Sequence, residues 1–92
     1  MKSIIQNEKF CYVCGTTYQL EEHHIFFGTA NRKQSELHGL KVWLCVEHHR
    51  GNTGVHQDRE LDLSIKRMAQ RRFEENHSRE LFIQIFGKSY LG

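Results

Sequence analysis

The chain has 92 residues, of which 38% are hydrophobic, so it can form one domain with a small core. Its net charge of +2 at pH 7 does not predict nucleic-acid binding by the molecule as a whole, and any such surface must be local. No apolar run approaches the roughly 20 residues of a transmembrane helix, and the first residues lack the apolar segment of a signal peptide, so we expect a cytosolic protein.

The first predicted element is a metal-binding turn at residues 10–17, after a lead of residues 1–9 that we expect to be only partly ordered. Cys11 and Cys14 have the two-residue gap that directs two sulfur atoms at one tetrahedral ion. Gly15 can supply the left-handed backbone that such a turn needs. Three cysteines are an odd number, which favours metal binding over disulfides in a reducing cytosol. Buried or redox-active thiols are the alternative.

A first strand is predicted at residues 18–26, where a double histidine stands near the strand's end. Adjacent residues of a strand point to opposite faces, so His23 and His24 should have different surroundings. A solvated pair of histidines is the alternative interpretation. We predict a loop at residues 27–31 and a helical turn at residues 33–37.

A second strand is predicted at residues 40–45, because this segment is rich in valine, tryptophan and leucine. It would form a hairpin with the first strand and bring Cys45 to the ion. His48 repeats the two-residue gap and completes a four-ligand set, with His49 as the alternative fourth ligand. The glycine-rich segment that follows predicts a loop up to His56, a histidine that could also cap the next helix.

Two amphipathic helices are predicted in the last third of the chain. The second begins at Ser78, which suits an N-cap, and ends at Gly87. The apolar stripe of the first helix, with residues at spacings of three and four, consists of Leu61, Ile65, Met68, Ala69 and Phe73. The apolar residues near the C-terminus are Leu81, Phe82, Ile85, Phe86 and Leu91. They exceed what one short helix needs, so we also expect a homodimer formed through this region.

Three sequence features resemble a known family, the HNH endonucleases, also called ββα-metal or His-Me finger nucleases. The features are Glu22-His23-His24-Ile25, Cys45-x-x-His48-His49, and His56. Residues 44–56 are most similar to the signature of phage nucleases of the Ref type, which depend on a recombinase filament. The likeness covers residues 10–57 well and is general for residues 58–92. The family's asparagine, which usually precedes the cysteine, is missing, since Leu40 and Lys41 occupy that region.

The resemblance implies one α+β domain over residues 1–92: a small zinc-stapled ββα-metal core at residues 10–57, followed by two helices at residues 58–92. The structural Zn²⁺ would be held by Cys11, Cys14, Cys45 and His48. The catalytic divalent ion would be bound by His23, His49 and His56. His24 would be the general base that activates water. The working ion would be Mg²⁺ or Mn²⁺, although nitrogen ligands favour retention of Zn²⁺ or Ni²⁺ on purification.

The activity implied by the resemblance is hydrolysis of DNA phosphodiester bonds with little sequence specificity. It would serve phage or mobile-element recombination or DNA processing, in the bacterial host cytosol if the protein is phage-encoded. The expected contacts to the DNA backbone are Arg32, Lys33, Lys41, Arg50 and Asn52. His38 and His77 are expected at the surface. The alternative is a non-catalytic zinc module that binds DNA or protein, which would not need His24 beside a pocket of three histidines.

Overall fold

The computed structural model describes residues 2–92, which form a two-stranded antiparallel sheet and four helices. The elements are β1 (Leu20–His24), α1 (Thr29–His38), β2 (Lys41–Cys45), α2 (Val46–Arg50), α3 (Arg59–Phe73) and α4 (Arg79–Phe86). The predicted α+β class is therefore confirmed. Among the described residues, no helix combines the length and the apolar character that crossing a bilayer requires.

The two strands form the predicted hairpin, with Leu20 opposite Cys45 and His24 opposite Lys41. The connection between them differs from the prediction of a loop and one helical turn, because α1 has ten residues. The side chain of Ser35, which is fully buried, attaches this helix to the chain beyond β1. Its Oγ donates to the carbonyl of Phe26 at 2.8 Å and accepts from the Phe26 N–H at 3.1 Å. This contact determines which face of α1 lies against the chain beyond β1.

Residues 2–9 of the predicted lead lie along β2, and Met1 is outside the described residues. Ser3 Oγ donates to the carbonyl of Lys41 at 2.6 Å, and the N–H of Trp43 donates to Gln6 Oε1 at 2.7 Å. The two isoleucines between Ser3 and Gln6 pack against the core. These side-chain bonds to the backbone hold the outer side of β2.

The core lies between the sheet, α1 and the two C-terminal helices. Both predicted stripes pack into it, and Ser78 caps α4 as predicted, since its Oγ accepts from the N–H of Leu81 at 3.1 Å. The ring of Phe26 lies 5.2 Å from that of Phe82 and 4.7 Å from that of Phe86, measured between centroids. Phe82 and Phe86 are buried in the core of their own chain, whereas the other residues behind the expected homodimer, Leu81, Ile85 and Leu91, are only partly buried.

Candidate metal centres

The first metal-binding cluster consists of Cys11, Cys14, Cys45 and His48, whose ligand atoms lie within 4.8 Å of one another. Cys14 Sγ is 3.8 Å from Cys45 Sγ. His48 Nδ1 is 3.3 Å from Cys45 Sγ and 3.8 Å from Cys11 Sγ. A tetrahedral ion with metal–sulfur bonds of about 2.3 Å has sulfur–sulfur edges of about 3.8 Å. The four side chains therefore have the spacing to bind one metal ion.

The turn that carries the first two cysteines is built as predicted. Gly15 has φ +81°, and its N–H donates to the carbonyl of Cys11 at 2.8 Å. Burial raises the pKa of the Cys11 thiol, but N–H groups of Cys45, Cys14 and Val13 outweigh it and bring the pKa down to about 6. The thiolate, which is the form that binds metals, is thus favoured at neutral pH.

The two adjacent histidines of α2 belong to different clusters. His48 lies with the cysteines, whereas His49 lies with His23 and His56. Successive residues of a helix are about 100° apart around its axis, so a single turn can deliver neighbouring imidazoles to two sites. The structure therefore places His48, and not His49, as the fourth member of the cysteine cluster.

The second cluster is formed by three imidazoles from three parts of the chain. The ring of His23 lies 5.1 Å from that of His49 and 5.5 Å from that of His56, and 5.1 Å separates the last two. Their ligand nitrogens lie within 4.8 Å of one another. All three residues were expected to bind one ion, and the structure brings them together.

His23 is the buried member of this cluster, with 3% of its surface exposed. Its Nε2 has no hydrogen-bond partner among residues 2–92. Burial, followed by the nearby His49 and His56, lowers the pKa of His23 to about 3, so the ring is neutral near pH 7. A buried, neutral imidazole with an unpaired nitrogen is costly unless a ligand satisfies it. These side chains therefore fit a divalent cation.

The glycine-rich turn after α2 brings His56 back over that helix. The N–H of Val55 donates to the carbonyl of His48 at 3.0 Å. A Cβ on Gly54 would lie 2.8–2.9 Å from the backbone of Glu47, His48 and His49, so this close approach requires glycine. The predicted loop is thus a tight connection that completes the second cluster.

Glu21 holds His49 from outside the cluster, and the sequence analysis missed it. Its Oε1 accepts from Nδ1 of His49 at 2.8 Å, and its Oε2 accepts from Arg50 at 2.8 Å. The hydrogen bond from His49 is the largest cause that lowers the pKa of Glu21. With the proton held on Nδ1, Nε2 of His49 is left to bind an ion. Strand alternation could have indicated this residue, because Glu21 and His23 share one face of β1.

We expect Glu21→Ala to weaken metal binding at the second cluster about 10- to 100-fold, because the proton and the ring orientation of His49 are then no longer fixed. Competition with a chromophoric chelator would measure the affinity in protein whose first cluster is already loaded. Glu80→Ala, at an exposed position of α4, is the matched control. Equal affinities in the two variants would show that Glu21 does not orient the ligand.

His24 borders the second cluster without joining it. A cavity of about 250 Å³ is lined by Glu22, His23, His24, Phe27, Arg32, His49 and His56. Nε2 of His24 lies 2.8 Å from Oε1 of Glu36 on α1. Glu22, His24 and Glu36 form a third group with ligand atoms within 4.8 Å, but the ammonium of Lys41 lies 3.2 Å from Glu22 and 2.9 Å from Glu36. A cation of the chain itself thus already lies between the two carboxylates and offsets part of their charge.

The five residues expected to contact DNA have different surroundings. Arg32 and Lys33 are exposed and, with His24, line a second cavity beside the first. Arg50 is exposed but paired with Glu21, and the side chain of Asn52 is exposed. Lys41 is buried, with 8% of its surface exposed, and paired with two carboxylates, so it lacks the access that a DNA contact requires. The expectation for Lys41 is corrected on this ground.

The two histidines expected at the surface lie together near α3. His77 is exposed, but His38 is half-buried and its ring lies 5.6 Å from that of Phe73. Burial, followed by the nearby His77, lowers the pKa of His38. Neither histidine belongs to the clusters that can bind a metal ion.

The interpretation of both clusters rests on the geometry and chemistry of this chain. Two groups of ligands, one rich in sulfur and one made of imidazoles, meet at α2 through the adjacent His48 and His49. Comparisons with models of protein families, with curated proteins and with solved structures gave no match to the chain.

Proposed function

We propose that the protein is a metal-dependent endonuclease of the HNH type, which hydrolyses phosphodiester bonds of DNA with little sequence specificity. The observation that carries this proposal is the cavity shared by His24 and the three converging imidazoles of His23, His49 and His56. A module that only binds DNA or protein has no need for a further histidine beside such a site. The resemblance of residues 22–25 and 44–56 to that family supports the same function.

We further propose that the first cluster holds a structural Zn²⁺. Three thiolates and one imidazole form a soft ligand set that suits zinc, and four protein ligands leave no position open for substrate. The cluster ties the turn at residues 10–17 to the end of β2 and to α2. Its role is therefore to hold the hairpin and the following helix in place.

The second cluster is suited to catalysis because three ligands leave coordination positions open. A divalent ion, when bound there, supplies positive charge that offsets the charge developing on the phosphate and on the leaving 3′ oxygen. His24 accepts a proton from the attacking water as general base. Arg32, an exposed cation that lines the same cavity, binds the phosphate backbone beside the scissile bond. Lys33, Arg50 and Asn52 extend this contact.

The cellular setting of the proposal comes from the Ref-type resemblance. On that basis, the nuclease acts in phage or mobile-element recombination or DNA processing, with DNA and a recombinase filament as partners. The homodimer through the C-terminal region stays a prediction, now resting on the partly buried Leu81, Ile85 and Leu91, since Phe82 and Phe86 are used within the core.

The test is cleavage of plasmid and of single-stranded DNA with Mg²⁺ or Mn²⁺ by the wild type, by His24→Ala and by His38→Ala. We expect His24→Ala to lower the cleavage rate about 10²- to 10⁴-fold, because the water then lacks its base. His38→Ala, which lies away from both clusters, should cleave like the wild type. Zinc content and melting temperature are measured for each protein, so that loss of the base is distinguished from loss of the fold.

Two results would count against the nuclease. Equal cleavage by His24→Ala and His38→Ala would exclude His24 as the base. A wild type that binds DNA but cleaves it with neither ion, alone or with a recombinase filament, would favour the non-catalytic zinc module.

A further inference from the structure

His24 is held by a carboxylate from a separate element of the fold. Its Nε2 lies 2.8 Å from Oε1 of Glu36. Glu36 follows the buried Ser35, whose Oγ attaches α1 to the backbone of Phe26. The carboxylate therefore comes from a fixed part of the helix. Because an ionised carboxylate can only accept hydrogen bonds, the proton of this contact lies on Nε2 of His24. In the tautomer that carries this single proton, Nδ1 keeps the lone pair.

Lys41 fixes the carboxylate in turn. Its ammonium lies 3.0 Å and 2.9 Å from the two oxygens of Glu36 and 3.2 Å from Oε2 of Glu22. Lys41 is also the cross-strand partner of His24 in the sheet, and it is buried. The buried ammonium of Lys41 favours the ionised form of the Glu36 carboxylate. The carboxylates and His24 therefore form a hydrogen-bonded chain with a cation already present, and not a third ion site.

We propose that Glu36 is a positioning residue that holds His24 in the Nε2–H tautomer and leaves Nδ1 as the atom that accepts the proton. The catalytic part of this inference rests on the proposed nuclease function, whereas the tautomer does not. In the reaction, one O–H bond of water breaks and its proton passes to Nδ1. The water oxygen forms the new bond to phosphorus, and the bond to the 3′ oxygen breaks with its electron pair on that oxygen.

A hydrogen bond to a carboxylate on a rigid helix restricts both the tautomer and the ring angle of His24. Loss of either misplaces the accepting nitrogen, and a displacement of about 1 Å can lower a rate about 10²-fold. Binding of DNA should be little affected, because Glu36 carries no positive charge and His24 stays in place. The role of Glu36 thus predicts an effect on kcat with KM nearly unchanged.

The test combines NMR of the histidine rings with cleavage kinetics for the wild type, Glu36→Gln and Glu36→Ala. In the wild type we expect a ring N–H proton on Nε2 of His24 that exchanges slowly with water. Glu36→Gln, whose amide oxygen can still accept, should keep this signal and most of kcat. Glu36→Ala should lose the signal and lower kcat about 10²-fold with KM unchanged. Glu80→Ala is the control, as an exposed carboxylate of α4.

The possible results distinguish the inference from the function on which it rests. A proton on Nδ1 of His24, or an unchanged Nε2–H signal in Glu36→Ala, would overturn the positioning role. The expected NMR result with unchanged kcat in Glu36→Ala would overturn its catalytic part. The expected NMR result in a wild type that cleaves no DNA would leave the tautomer established and reject the nuclease. If Glu36→Ala is unfolded, Glu36→Gln and Lys41→Met decide. Glu36→Gln should keep the Nε2–H signal, whereas Lys41→Met, which loses the ammonium that fixes the carboxylate, should weaken it. An unchanged signal in Lys41→Met would overturn the positioning role.

Discussion

His48→Ala is expected to unfold the protein, whereas His49→Ala at the next position is expected to leave it folded. His48 belongs to the cysteine cluster, which joins the N-terminal turn, the end of β2 and α2. Structural zinc contributes an apparent binding free energy of about 10–16 kcal/mol in small zinc-binding peptides. Whole domains are stable by only about 5–15 kcal/mol. Loss of even part of the metal's contribution should therefore leave a chain of this size unfolded.

The two variants form a matched pair, because the same substitution is made on adjacent residues of one short helix. Zinc content, circular dichroism and melting temperature would be compared for both. Treatment of the wild type with a strong chelator should reproduce the His48→Ala result. Similar stability in the two variants would contradict the division of the two histidines between the clusters. His49→Ala should instead lose the ion of the second cluster and, with it, cleavage.

The second large effect is expected for His23→Phe, which should remove metal binding at the second cluster and reduce cleavage to background. Unlike most substitutions of buried residues, this one should not destabilise the metal-free protein. Nε2 of His23 is buried without a hydrogen-bond partner among the described residues. Such an atom costs about 1–3 kcal/mol, and an apolar ring of similar shape avoids that cost.

Denaturant unfolding in the presence and absence of Mn²⁺ would measure both parts of this prediction. The wild type should gain stability from the ion, and His23→Phe should gain none. In the absence of the ion, the variant should be as stable as the wild type or more so. His77→Phe, at an exposed histidine, is the control. If His23→Phe gained as much stability from Mn²⁺ as the His77→Phe control, His23 would be ruled out as a ligand.

The clusters could be predicted from the sequence because their chemistry is local. The two-residue gaps of Cys11–Cys14 and Cys45–His48 indicate a shared ion, and both pairs do come together. The two-residue gap favoured His48 as the fourth ligand but left His49 as an alternative, so the choice between them could not be settled in advance. It depends on the direction in which α2 leaves β2, which is a property of the folded chain.

The carboxylates that hold the histidines were missed for a different reason. Glu21 and Glu36 carry charges that normally lie in solvent. Strand alternation places Glu21 on the face of His23, but it does not connect Glu21 to His49, and no spacing rule connects Glu36 to His24. Glu36 lies on α1, a helix whose residues are mostly polar and which buries Ser35 alone. Without an apolar stripe, only one turn of this helix was predicted. The burial of Lys41 was likewise not predictable, because it depends on Glu22 and Glu36 meeting beside it.

The bonds between the N-terminal lead and β2 have a consequence for aggregation of the protein after metal loss. Ser3 and Gln6 bond to backbone groups of β2, and the N–H of Tyr12 in the first metal turn donates to the carbonyl of Trp43 at 2.8 Å. A strand edge with unpaired backbone groups readily pairs with another chain and aggregates. Loss of the metal frees Tyr12 from its turn and uncovers part of that edge. Metal-depleted protein should therefore precipitate by strand-to-strand association before it accumulates as soluble unfolded chains.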